Sequence, residues 1–131
     1  MLHAELTNQI LAACFEVSNE LGAGFLESVY QNALLVVLKT KGLAVEREYP
    51  LSVSFRNQIV GQFIADILVE RLIIVELKAV TALTDVHKAQ VINYLKATGI
   101  DVGLLVNFGN PKLEYRRFEN RFKQADLVKK G

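Results

Sequence analysis

The sequence predicts a single α/β (α+β) domain over residues 1 to 131, a mixed central sheet flanked by helices in the order α-α-β-β-β-α-β-β. Three observations carry that reading. Helical spacing of apolar residues runs up to residue 42, short β-type runs bounded by turn residues follow to residue 79, and a capped helix then leads into an almost wholly apolar strand. With 131 residues, 51% of them apolar and only two prolines, the chain is long enough for one real core. Charged residues make up 22% and no stretch is rich in Ser, Gly or Gln, which excludes a disordered or low-complexity protein.

Residues 6 to 21 place Ile10, Cys14, Val17 and Leu21 at helical spacing, with Gly22 as the stop. After GAGF the pattern restarts at Leu26, Val29, Tyr30, Ala33, Leu34, Val37 and Leu38, offsets of 0, 3, 4, 7, 8, 11 and 12, and ends at Gly42. Three β-type runs follow at 44 to 55, broken near Pro50, at 59 to 69 and at 72 to 79, with RNQ and ER as turns; an antiparallel meander is the simplest arrangement. Thr84 caps a helix to about Thr98, closed by Gly99, with Val91, Ile92 and Leu95 as its core side. DVGLLVNF reads as a buried strand, Asn107 to Pro111 must turn, and residues 113 to 118 form the last strand.

Several function classes drop out. The start, MLHAELTNQ, lacks a basic segment followed by an apolar one, and no apolar run approaches the length that crosses a bilayer, so a cytoplasmic protein without a membrane is expected. Cys14 cannot close an intrachain disulfide and, among apolar neighbours, reads as a small buried hydrophobe. Together with two distant histidines it makes no zinc site. GAG at 22 to 24 follows a helix rather than a strand and is not a dinucleotide loop. The formal charge of +1 hides an asymmetry: residues 112 to 131 carry seven basic and three acidic side chains. Such a basic end, Arg116 and Arg117 included, suits a polyanion, although a solvated tail would look the same.

The informative residues are polar groups in apolar places. On a helical wheel Glu27 falls at about 100° from Leu26, between Leu34 and Leu38, on the core-facing arc, where a bare carboxylate is costly. At the first turn of a helix it equally complements the dipole. Asp66 interrupts FIADILV, and IIVELKAV carries Glu76 and Lys78 two positions apart, hence on one face. Register decides whether the acids meet. A two-residue turn at Glu70 and Arg71 pairs Asp66 with Val75; a three-residue loop or one bulge sets Asp66 opposite Glu76, and that second register is expected. Two adjacent carboxylates repel unless a cation sits between them, and Lys78 answers only part of the charge. Asp66, Glu76 and Lys78 are thus the tools for hydrolysing a phosphodiester: hard oxygens for a divalent metal and an ammonium beside them. A bare Glu-x-Lys in a strand is more often an ion pair, and it is the apolar flanks and the paired Asp that change this. Gln90 and Tyr94, four apart on the last helix with His87 and Thr98, form a polar strip suited to a base or phosphate.

At this point the sequence resembles a known family. Gly24, Glu27 and Tyr30 in GFLESVY match the signature of the GxxExxY protein family, and Asp66 followed by VELK at 75 to 78 is similar to the core of the PD-(D/E)XK nuclease superfamily, to which that family is assigned. QVINYLKATG and VGLLVNFGNPKLEYRRF also resemble family segments in the same order, so the likeness covers nearly the whole chain. The resemblance implies a restriction-endonuclease-like α-β-β-β-α-β core. It implies Asp66 and Glu76 as ligands of Mg²⁺ or Mn²⁺, Leu77 as a carbonyl donor, Lys78 as the catalytic ammonium and Glu27 as the acid supplied by the helix. Gln90 and Tyr94 resemble the Gln-x-x-x-Tyr of exonuclease-like branches. One departure is Ile64, where many relatives carry a basic residue two positions before the Asp. The expected function is a metal-dependent nuclease acting on nucleic acid, DNA ahead of RNA. The alternative is a non-catalytic nucleic-acid-binding or protein-interaction module that retains the nuclease fold. Cutting both strands commonly takes two subunits, so a homodimer enters as an expectation without assigned interface residues.

Overall fold

The computed structural model describes residues 1–122, and the elements fall in the predicted order: α1 (Ala4–Leu21), α2 (Glu27–Thr40), β1 (Val45–Phe55), β2 (Gln58–Val69), β3 (Ile73–Lys78), α3 (Asp85–Thr98), β4 (Val102–Asn107) and β5 (Glu114–Glu119). The five strands form one sheet in the order β1-β2-β3-β4-β5. Neighbours are antiparallel except β3 and β4, which run parallel because α3 carries the chain back between them. The central strands β3 and β4 are buried on both faces, which explains their near-continuous aliphatic sequence.

Helices α1 and α2 cover one face of the sheet. Ile10, Cys14 and Val17 of α1 and Tyr30, Leu34 and Leu38 of α2 pack there with Ile67, Val75, Leu77, Leu104 and Val106. Helix α3 covers the other face, where Tyr94 and Leu95 pack with Leu51, Leu68 and Ile74. Burial pushes the Cys14 thiol up to about 12, as befits an inert core residue. The cap of α3 is reciprocal: Thr84 Oγ1 accepts from the His87 N–H and His87 Nδ1 accepts from the Thr84 N–H, so His87 serves the helix start.

Three details depart from expectation. Pro50 does not break β1 but pairs with Ile64, because β1 is an edge strand and a missing N–H there costs little. One irregularity lies at Glu48, which adopts a left-handed φ of 54° and is skipped in the ladder without a change of register. Ile92 is 38% exposed and Tyr94 takes its place on the core side of α3. The hairpin turn uses two left-handed residues, Arg56 and Asn57, with Gln58 already paired to Phe55.

Candidate active site

The β2–β3 connection spans residues 70 to 72, since Val69 pairs with Ile73, Leu68 with Ile74 and Ile67 with Val75. That is the three-residue loop expected from the sequence, and its register continues to Asp66 opposite Glu76. The main-chain ladder stops one pair short. Backbone N–H groups must find acceptors, and here the carboxylates supply them: the Asp66 N–H donates to Glu76 Oε1 at 2.7 Å and the Leu77 N–H donates to Asp66 Oδ2 at 2.7 Å. Strand β3 meanwhile stays paired to β4 through Lys78, opposite Asn107. A notch therefore opens between β2 and the far end of β3, with one acid on each wall.

Glu76 is 3% exposed and Asp66 is half-buried. Burial, then the charge of Asp66, pushes the Glu76 carboxyl up to about 8; the Asp66 N–H and Lys78 pull the other way and Glu27 adds a smaller push. Asp66 is also raised, chiefly by burial, against the Leu77 N–H and Lys78 and with small additions from Glu27 and Glu48. Each acid spends one oxygen on a backbone N–H, and among the described residues no donor engages Asp66 Oδ1 or Glu76 Oε2. Half-buried Lys78 acts on both acids through its field without an ion pair to either.

The second helix reaches the notch at its start. Gly24 takes a φ of 112°, which only glycine adopts readily, and the Tyr30 hydroxyl donates to the Gly22 carbonyl at 2.6 Å while accepting from the Phe25 N–H at 3.2 Å. The Tyr30 ring is fully buried and stacked on Phe108 at 4.7 Å. Gly24 and Tyr30 thus fix the loop whose end sets Glu27 as the first residue of α2. Glu27 itself is exposed, which corrects its placement on the buried arc. The angle was right, since Tyr30, Leu34 and Leu38 are buried on either side of it. The axial position decides: Glu27 is the first residue of α2 and follows a Leu26 that is 77% exposed. Among the described residues no group of three or more His, Cys, Asp or Glu side chains is placed to hold a metal ion, so Glu27 is not gathered with the two strand acids.

Gln90 and Tyr94 are brought together, Gln90 Nε2 donating to the Tyr94 hydroxyl at 3.1 Å. Tyr94 is buried beside the notch, and its phenol is raised by burial and then by the Glu76 charge. Arg116 and Arg117 are separated by strand alternation. Arg116 is exposed in the row that runs from Glu76 through Leu105, whereas Arg117 is held to the Leu2 carbonyl and to Glu119 Oε2, at 2.7 Å for the latter. Arg117 is therefore engaged by the chain's own first residues rather than presented with Arg116. Lys123, Lys129 and Lys130 of the basic segment lie outside the described residues.

Two supporting residues were missed from the sequence. Gln31, on the buried face of α2, donates from Nε2 to the Asp66 carbonyl at 3.0 Å. Fully buried Asn107 accepts on Oδ1 from the Val80 and Gly109 N–H groups, both at 2.9 Å, and donates from Nδ2 to the Val80 carbonyl, which fastens the chain leaving Lys78. A polar residue inside an apolar helical or strand run was the available signal in both cases.

Residues 4–118 match the model of a family described as the PD-(D/E)XK nuclease superfamily. None of the curated proteins matches the chain. Among solved structures, the crystal structure of SSO0001 superposes with a TM-score of 0.57 at 19% identity, over 78% of this chain and 54% of that one. The present chain thus spans about half the length of that protein, and the likeness bears on the fold alone. The element order and the mixed five-stranded sheet between helices are those of a restriction-endonuclease-like fold. Among the described residues no helix is long and apolar enough to cross a membrane.

Proposed function

Because the chain belongs to the PD-(D/E)XK nuclease superfamily, we propose that it is a Mg²⁺- or Mn²⁺-dependent hydrolase of phosphodiester bonds in DNA or RNA, DNA first. Its centre is Asp66, Glu76 and Lys78, with Glu27 at the rim. One observation carries the reading: two carboxylates face each other across a notch that opens because they take the backbone N–H groups of the opposing strands. Such a pair suits a divalent cation, since each acid keeps an oxygen without a donor and burial leaves their charge unanswered. A bound Mg²⁺ supplies the positive charge that acidifies a water and offsets charge growing on the phosphate. Asp66, Glu76 and the Leu77 carbonyl would hold it, and exposed Glu27 would approach from α2. The Leu77 N–H fixes the Asp66 carboxylate in place, and Gln31 fixes the Asp66 main chain behind it. Lys78 brings its ammonium to the same wall as Glu76, where it meets the negative charge of the phosphodiester. Gln90 and Tyr94 flank the notch on the α3 side and steer the substrate. Gly24, Glu27 and Tyr30 support reading the chain as a member of the GxxExxY family.

The test is cleavage of single- and double-stranded DNA and RNA in Mg²⁺ or Mn²⁺ by wild type and Glu76→Ala. Identical cleavage of every substrate by the two proteins would sink the enzyme reading. Exposed Arg116, in the row that runs from Glu76 through Leu105, favours a second reading, a module that binds nucleic acid or protein without turnover. In that case binding survives chelation and falls when Arg116 is neutralised.

A further inference from the structure

A groove of about 790 Å³ runs between the β1–β2 hairpin and α3, beside the notch but lined by neither of its acids. Its shape is built by the hairpin. A bulge at Val53 and Ser54, opposite an extra Val60, bends the two strands. Gly61 leaves the room that the Phe63 ring occupies, for a Cβ there would stand 3.0 Å from that ring. The ring is held 5.9 Å from the ring of Tyr94, at 44° to it, and Phe63 remains 46% exposed.

The lining has a definite charge. Arg56 and Lys96 contribute two cations, and among the described residues no Asp or Glu lines the groove. Arg56 lies over the Phe55 ring at 5.0 Å and Lys96 over the Phe122 ring at 4.9 Å, contacts that position the charges without neutralising them. Asn93 and Gln90 add amides between them. At its inner end stands Tyr94, whose phenol lies in the field of Glu76 and Asp66.

Cations without acids select a polyanion, and the half-exposed Phe63 ring selects one whose flat faces are not already stacked on each other. We propose that this groove carries a single strand of nucleic acid, with a base stacked against Phe63, itself backed by the buried Tyr94 ring, and phosphates met by Arg56 and Lys96, and leads it to the Asp66–Glu76 notch. A duplex satisfies the cations but leaves the Phe63 ring uncovered, because its bases stack inside it. The direction of travel rests on the nuclease reading; the binding does not.

The experiment measures anisotropy of labelled oligothymidylate, oligouridylate and a blunt DNA duplex with the full chain, in chelator so that nothing is cut. Phe63→Ser lowers single-strand affinity on the order of tenfold, and Phe63→Tyr restores it. Removing both cations (Arg56→Ala with Lys96→Ala) reduces the slope of log K against log salt by about 1.4, two phosphates' worth. The two oligonucleotides show which sugar is preferred. Unchanged single-strand binding by Phe63→Ser, or wild type binding the duplex as tightly as the single strand, overturns the proposal. So does a result in which the variants spare oligonucleotide binding and instead shift a monomer–dimer equilibrium in sedimentation, which assigns the groove to a second copy. Failure of the nuclease reading looks different: cleavage is absent or indifferent to Glu76→Ala while groove variants still lose binding.

Discussion

Replacing Glu76 by Gln should remove most of the pH dependence of stability from the metal-free protein. Burial and the neighbouring Asp66 push this carboxyl from 4.5 up to about 8. The folded state therefore holds the proton more tightly than the unfolded chain. The stability this contributes is present in full below pH of about 4.5, declines as pH rises and is gone above about 8. At about 1.36 kcal/mol per unit the loss amounts to roughly 3 to 5 kcal/mol, a large share of the roughly 5–15 kcal/mol that holds a domain together. Gln keeps an oxygen to accept the Asp66 N–H, so the variant retains the contact at 2.7 Å while losing the charge. Urea unfolding between about pH 4.5 and 9 in chelator reads the effect: wild type weakens across the window and Glu76→Gln holds nearly level, with a residual slope from Asp66, which is raised in the same direction. Mg²⁺ at about 100 times its Kd should then return about 2.7 kcal/mol to wild type at the alkaline end and much less to the variant. A wild type whose stability is flat over this window, or Mg²⁺ stabilising both proteins equally, refutes the picture of an under-compensated acid pair.

Tyr30→Phe keeps the stack on Phe108 but strands the Gly22 carbonyl and the Phe25 N–H; calorimetry should show a loss of about 1–3 kcal/mol, and cleavage should fall with it as Glu27 loses its mooring. Asn107→Ala releases Val80 and Gly109, so limited proteolysis between residues 79 and 84 accelerates and stability drops by about 3 kcal/mol. Lys78→Met abolishes cleavage while leaving the far-ultraviolet circular dichroism intact. It also moves the alkaline stability loss to higher pH, because Lys78, after the Leu77 and Asp66 N–H groups, helps to hold both acids down.

Periodicity and punctuation were sufficient where neighbours in sequence decide the structure. Thr84 and Gly99 bracket α3, and the alternation around Glu76 and Lys78 places them on one face. What failed depended on neighbours in space. Pro50 was expected to break the first strand, and the order of strands puts β1 at the edge, where a missing N–H is tolerated. A helical wheel gives angle without height, so it set Glu27 on the core-facing arc, whereas its place at the first turn of α2 leaves it exposed at the rim. Arg116 and Arg117 looked like one basic patch because charge was counted along the chain, whereas strand alternation sends one to the open face and ties the other to Leu2 and Glu119.

The notch itself shows why a site of this kind resists reading from either strand alone. Alternation and loop length put Asp66 opposite Glu76, yet in an ordinary ladder that pairing would leave the strands zipped and the acids pressed together. The gap opens because each carboxylate reaches over and takes a backbone N–H from the facing strand, at Asp66 and Leu77. The acids are then structural acceptors and candidate ligands through different oxygens of the same groups. Truncating either to Ala consequently changes two things at once, removing a charge and orphaning an N–H that the opposing strand can recapture. An amide at position 66 or 76 changes only the first, and it is the amide variants that separate the chemistry of the pair from the architecture that the pair maintains.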